Sequence, residues 1–305
     1  MAAQDLSAAE LRASFSGAWR HEEFDAQGNL LSFFHGVDRH VVLREKELRV
    51  QRPHGHLLRT GRHATPDEAA LTSTTWMAGV FHSMLTQGHV SFNRLLSTVH
   101  SYISLFRSHG QRVFVDFGGG WQLLDVPSAF EMTPTACRWI YRHAQGVIEV
   151  RSEARSDPDE MLLTIEVRTG AAMRCLISHH VALNGDDGSE AQDVRWSRDA
   201  AGITVRPAAD SELGLRFPEG SFHIAPLAAT TFERIGGAEL LFLDGRSHQQ
   251  PYLCVVTAPG SAIGLRFRGQ LISESRVAPE RYAEPGFDES MATALTLYGD
   301  RKSVV

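Results

Sequence analysis

Apolar and polar positions change their spacing near Gly28. Before it, Ser7-Ala8-Ala9-Glu10 has the form of a capping box: Ser7 accepts from the N3 amide and Glu10 reaches back to the cap. Leu11 and Phe15 follow one turn apart and Trp19 extends their stripe. The pattern predicts a helix that stops before the turn Asp25–Asn29. After Gly28 the period is two. Val113, Val115 and Phe117 share one face, and Leu163, Ile165 and Val167 alternate with Thr164, Glu166 and Arg168. Ile203 and Val205 alternate with Thr204 and Arg206, as Ile263, Leu265 and Phe267 do with Gly264, Arg266 and Arg268. Each run has one dry and one wet face, which predicts antiparallel strands of a sandwich, with the arginines of the wet faces in solvent.

Turn residues separate these runs. Gly118-Gly119-Gly120 joins Val113–Phe117 to Trp121–Leu124 as a hairpin, and Gln145-Gly146 joins Cys137–Arg142 to Val147–Arg151. Asn184–Gly188 is a further loop. No strand–helix–strand alternation appears, which argues against a parallel nucleotide-binding sheet. Residues 71–106 are less regular, and Leu71–Met84 fits a strand or a short helix. Beyond Ser273 the chain turns polar, with Pro279 and Pro285, and Asp288 is placed to cap a helix through Met291 and Leu295 as far as Gly299. The expected division is an N-terminal helix and linker over 1–27, a β-sandwich over 28–272 and a linker over 273–299. The last six residues, Asp300–Val305, match the translated reading frame of a common sequencing adapter, so 300–305 is read as an artefact; a natural tail is the alternative.

Composition narrows the function classes. A hydrophobic share of 43% and a charged share of 22% are those of a globular chain with a real core. A formal net charge of -6 disfavours nucleic acid or an anionic membrane surface as partner. The only lysines are Lys46 and Lys302, and no stretch gathers the arginines into a phosphate site. Cys137, Cys175 and Cys254 sit singly in apolar runs, as buried structural thiols do, with no CxxC. The polar N-terminus is no signal peptide, and no apolar run is long enough to span a membrane, so the cytoplasm is the expected compartment.

Candidate chemistry is sparse. His54, His56 and His63 cluster, and His179 and His180 point to opposite sides of a strand, but none has the spacing of a metal site. There is no GxSxG elbow, and Gly118–Gly120 has neither lysine nor following helix to hold a phosphate. Asp157, Asp159 and Glu160 in a proline turn, and Asp186 and Asp187 in a loop, read as exposed turn carboxylates rather than a glycosidase pair. Trp19, Trp76, Trp121, Trp139 and Trp196 suit core packing first and a sugar-stacking platform second.

Several ordered stretches carry a resemblance: Asn29–His35, His40–Glu47, Arg52–Gly55, Leu71–Phe81, Gly110–Val115 and Leu123–Ser128. Together, from about Gly28 to about Asp187, they resemble the 1,2-β-oligoglucan (sophorooligosaccharide) phosphorylases of glycoside hydrolase family 94. The resemblance implies a mainly β, antiparallel super-sandwich of galactose-mutarotase type that precedes and packs against an (α/α)6 barrel. It implies phosphorolysis of β-1,2-glucans to α-glucose 1-phosphate with inversion, inorganic phosphate being the co-substrate and no other cofactor or metal being needed. One aspartate in the barrel protonates the leaving oxygen, so no catalytic residue is expected in this chain, which would then be an inactive fragment. Arg52 and His54, held by Pro53, are the candidates for touching β-glucan substrate, against the simpler reading of a turn. A stand-alone carbohydrate-binding or scaffold module and a mutarotase-like enzyme with its own acid–base pair are the other readings.

Overall fold

The computed structural model describes residues 3–50, 53–61, 69–88, 95–96, 109–181, 183, 195–227 and 229–271. Asn184–Gly188, His63, Arg52, the helix expected after Asp288 and the last six residues lie outside the described residues.

In chain order the first half runs α1 (Ala8–Ser14), β1 (Trp19–Phe24), β2 (Leu30–His35), β3 (Arg39–Leu43), α2 (Arg44–Arg49), β4 (Gly55–Arg59), β5 (Leu71–Trp76), β6 (Val80–Gln87), β7 (Gln111–Asp116), β8 (Gln122–Leu123), β9 (Ala129–Met132) and β10 (Ala136–His143). The second half runs β11 (Gly146–Arg155), β12 (Glu160–Thr169), β13 (Arg174–His180), β14 (Trp196–Arg198), β15 (Ile203–Val205), α3 (Glu212–Arg216), β16 (Ser221–Pro226), β17 (Phe232–Gly236), a short 3-10 turn (Ala238–Leu240), β18 (Tyr252–Thr257) and β19 (Ala262–Gln270). One sheet has the order β1-β2-β3-β9-β10-β11-β12-β19-β16-β15-β14; the other has the order β17-β18-β13-β7-β6-β5-β4, with β8 added beside β7. The paired strands are antiparallel, as the two-residue period predicts.

The main core lies between the sheets. Trp139, Val150, Leu163 and Leu265 of the first meet Val113, Ile177 and Val255 of the second. Trp139 is the largest fully buried side chain; its ring meets Phe81 edge-on at 5.0 Å and its Nε1 donates to Trp76 O at 3.1 Å. The predicted hairpins form: Asp116 Oδ1 accepts from the amides of Gly118 and Gly120, and β10 pairs with β11 through the Gly146 turn. Gly146 has φ +147, and a Cβ there would lie 1.8 Å from Thr169 O. The three cysteines are buried and free, with burial pushing the Cys137 and Cys254 thiols up to about 12.

Two expectations change. The first helix keeps its capping box but spans only Ala8–Ser14. Gly17, at φ +94, turns the chain into β1, so Trp19 is a strand residue and the sandwich begins before Gly28. The stripe survives as contact: Trp19 Nε1 donates to Phe15 O at 2.8 Å, and its ring stacks on Phe33 at 4.1 Å. With Val41, Ala129 and Ile140, these rings form a second apolar cluster that seats α1 on the outer face of the first sheet. The ambiguous Leu71–Met84 forms two strands, β5 and β6.

Candidate functional site

Three groups of polar side chains stand out. The first crosses the outer face of the first sheet. Glu131 on β9 lies with His35 Nε2 at 2.6 Å and Arg138 Nε at 2.7 Å; Arg138 in turn reaches Glu149 at 3.6 Å, and Glu149 accepts from Arg168 at 2.9 Å. His35 and Glu131 are buried beneath Phe15, whose ring meets His35 at 5.4 Å. A carboxylate and an imidazole this close resemble an acid–base pair. They are packed under α1 and tied to Arg138 rather than open to a cavity, so they lock strands together. Glu160, expected as an exposed turn carboxylate, is instead buried at the start of β12 and takes Arg268 at 2.9 Å. The strand period brings Glu160 and Arg268 onto the same side of neighbouring strands. Arg168 and Arg268 are thus ion-paired rather than simply solvated.

A second group surrounds α2. Buried Lys46 donates through Nζ to Glu23 Oε2 at 2.5 Å and to Ser32 Oγ at 3.2 Å. Glu47 accepts from both the amide of His54, at 3.1 Å, and its ring Nδ1, at 2.6 Å, while His54 O accepts from Met77 N. His54 is therefore anchored at both ends of its residue, and its ring is 19% exposed. His56 Nε2 donates to Thr133 O at 2.9 Å. His40, stacked on Phe34 at 4.4 Å, is pushed down to about 4 by burial and by the Lys46 charge.

The third group lines an open cavity of about 390 Å³ at the far edge of the first sheet. Asp199 Oδ1 accepts from the amides of Ala201 and Gly202, closing the turn between β14 and β15. Gly202 sits at φ +145, where a Cβ would meet Ile224 O at 2.4 Å. That turn fixes the register Trp196↔Val205 and Ser197↔Thr204. Arg206 N donates to Arg195 O at 3.1 Å, continuing the ladder, so Arg195 and Arg206 stand opposite each other. The other wall comes from α3, where Ser211 caps Gly214 N at 3.0 Å, and from Pro218. A Cβ on Gly214 would lie 1.9 Å from Ala208 O, so only glycine lets this wall close. Sequence reading missed this site because its two arginines are separated by a hairpin.

Among the described residues no group of three or more His, Cys, Asp or Glu could hold a metal ion, and no helix is long and apolar enough to cross a membrane. Of the tryptophans, Trp139 is buried and Trp19, Trp76 and Trp196 are half-buried, while Trp121 is 40% exposed, with the Arg174 guanidinium 6.0 Å from its ring.

The family described as glycoside phosphorylase supersandwich domain matches residues 18–261, nearly the whole of the two-sheet body. The chain belongs to that family. Its start at residue 18 agrees with β1 rather than with Gly28 as the edge of the supersandwich domain. A 1,2-β-oligoglucan phosphorylase of Listeria innocua is 28% identical over 220 residues, covering 69% of this chain and 20% of that protein. The supersandwich chain thus spans about a fifth of the length of this relative. A solved polysaccharide lyase is similar at a TM-score of 0.41 and 8% identity, over 68% of this chain and 33% of that one, too distant to inform function.

Proposed function

We propose that this chain is the non-catalytic supersandwich part of an inverting glycoside phosphorylase of glycoside hydrolase family 94. Its substrates would be β-1,2-glucooligosaccharides and inorganic phosphate, its product α-glucose 1-phosphate, and its compartment the cytoplasm. The observation that carries this is the supersandwich match over residues 18–261, joined to the likeness to a 1,2-β-oligoglucan phosphorylase. The described polar groups support it: the buried carboxylates Glu131, Glu47 and Glu160 are each engaged by a cation or histidine that holds the sheets or loops in place. In this reading the leaving oxygen is protonated by an aspartate of an (α/α)6 barrel packed against the sandwich. Phosphate then attacks where an inverting hydrolase would place a base-activated water. Arg52 and His54 belong to the proposal as residues that reach toward the substrate from the sandwich side.

The test is direct. The purified 305-residue chain, given sophorooligosaccharides and phosphate, releases no glucose 1-phosphate; release by this chain alone would overturn the reading. A second reading, a carbohydrate-binding module, is favoured by the exposed Trp121 beside Arg174. Saturable binding of neutral β-glucan that is lost in Trp121→Ala would establish it.

A further inference from the structure

We propose that the cavity between β14, β15 and α3 binds a phosphate monoester, with a sugar as the body of the ligand. Arg195 and Arg206 stand opposite each other on paired strands, where like charges repel. Neither side chain forms an ion pair or hydrogen bond among the described residues, whereas Arg138, Arg168 and Arg268 on the long strands of the same sheet each meet a glutamate. Two guanidinium forks rooted on one strand pair match the charge and the oxygens of a phosphate dianion, and each can take two oxygens at once. An uncharged ligand would leave their repulsion unrelieved.

The rest of the cavity suits a polar ring. Ser197 and Thr204, the next opposed pair on the same face, line it, and Trp196 adds an apolar surface. The His223 ring behind them is fixed, with Nδ1 3.1 Å from Thr204 Oγ1 and Nε2 3.2 Å from Ser221 Oγ. A volume of about 390 Å³ far exceeds the needs of phosphate alone and lies within the range of roughly 300–1,000 Å³ usual for small-molecule sites. The choice of a sugar body rests on the proposed function; the anion site rests on the arginines and the cavity.

Isothermal titration of the 305-residue chain with glucose 1-phosphate, inorganic phosphate and sophorose tests both parts. Glucose 1-phosphate should bind about tenfold more tightly than phosphate, with sophorose weaker than either. The double variant R195A/R206A should lose about tenfold or more in affinity for both anions with its thermal midpoint unchanged, since both residues are exposed. W196F should narrow the gap between glucose 1-phosphate and phosphate. Failure of wild type to bind either anion, or unchanged affinity in the double variant, overturns the anion site. Equal affinity for phosphate and glucose 1-phosphate overturns the sugar body and leaves a phosphate site. Phosphorolysis is not read in any arm, so these outcomes stand apart from the fate of the enzyme assignment.

Discussion

The outer face of the first sheet and the inner face of the second handle buried polar groups in opposite ways. On the first, charges are kept and paired across strands: Glu131, Arg138, Glu149 and Arg168 form a ladder over four strands, with His35 against Glu131, beneath and beside Phe15. On the inner face of the second, polarity is kept but charge is removed. His82 and His179 flank Gln111 on β6, β7 and β13, and both rings pack near Phe267 at 5.7 and 5.8 Å. His179 Nδ1 donates to Leu253 O at 3.0 Å, leaving Nε2 to accept from Gln111 Nε2 at 3.1 Å, and His82 Nδ1 lies 2.6 Å from Ser73 Oγ. Burial pushes His82 down to about 3 and His179 to about 4; His180, on the other side of β13 against His109 and Tyr252, is pushed to about 3. A face covered only by one short helix tolerates ion pairs, while the space between two sheets selects neutral imidazoles, because desolvating a charge there is too costly.

Acid should therefore act first through the buried histidines rather than the ion-paired face, and this is the largest effect expected. The folded values of His82, His179 and His180 lie below the 6.5 of an unperturbed histidine, so the unfolded chain binds more protons as pH falls. Their contribution is complete above about pH 6.5 and is lost as pH drops toward about 4. At pH 5 each costs about 2 kcal/mol. Urea unfolding midpoints measured from pH 7.5 down to 5 should fall steeply; a flat profile would remove the distinction between the two faces.

Next in size, Glu131→Ala leaves His35 and Arg138 without their shared carboxylate and should cost about 3–5 kcal/mol in urea unfolding at pH 7.5. A loss under 1 kcal/mol would mean that the ladder holds little. Glu47→Gln keeps the shape beside His54 but removes the charge from two of its hydrogen bonds, with an expected loss of about 1–2 kcal/mol. Hydrogen exchange at the His54 and Met77 amides should rise with it. The smallest effect belongs to α1: Ser7→Ala removes the cap and should cost about 1 kcal/mol. The Glu10 carboxyl, held down to about 2 chiefly by its hydrogen bonds to Ser7, should move back toward the ordinary carboxylate range, as side-chain NMR titration would show.

Much of the fold was legible beforehand, and little of the site was. The dry faces of Val113–Phe117, Leu163–Val167 and Ile263–Phe267 do turn into the core, because alternation is a local property that burial must respect. The capping box formed for the same local reason. The end of that helix is not legible, because the Leu11–Phe15–Trp19 spacing fits one continuous helix, while Gly17 breaks it and still brings Trp19 to Phe15. The burial of Glu160 is not legible, because its partner Arg268 is distant in the chain.

The sequence by itself determined that this is an antiparallel, two-faced β chain with a capped first helix, because period and turn chemistry are written in adjacent residues. Only the tertiary structure decided which carboxylates are buried, which histidines are neutral and where two arginines converge. Those properties depend on strand order and register, which bring together residues as far apart as Glu160 and Arg268 or His82 and His179.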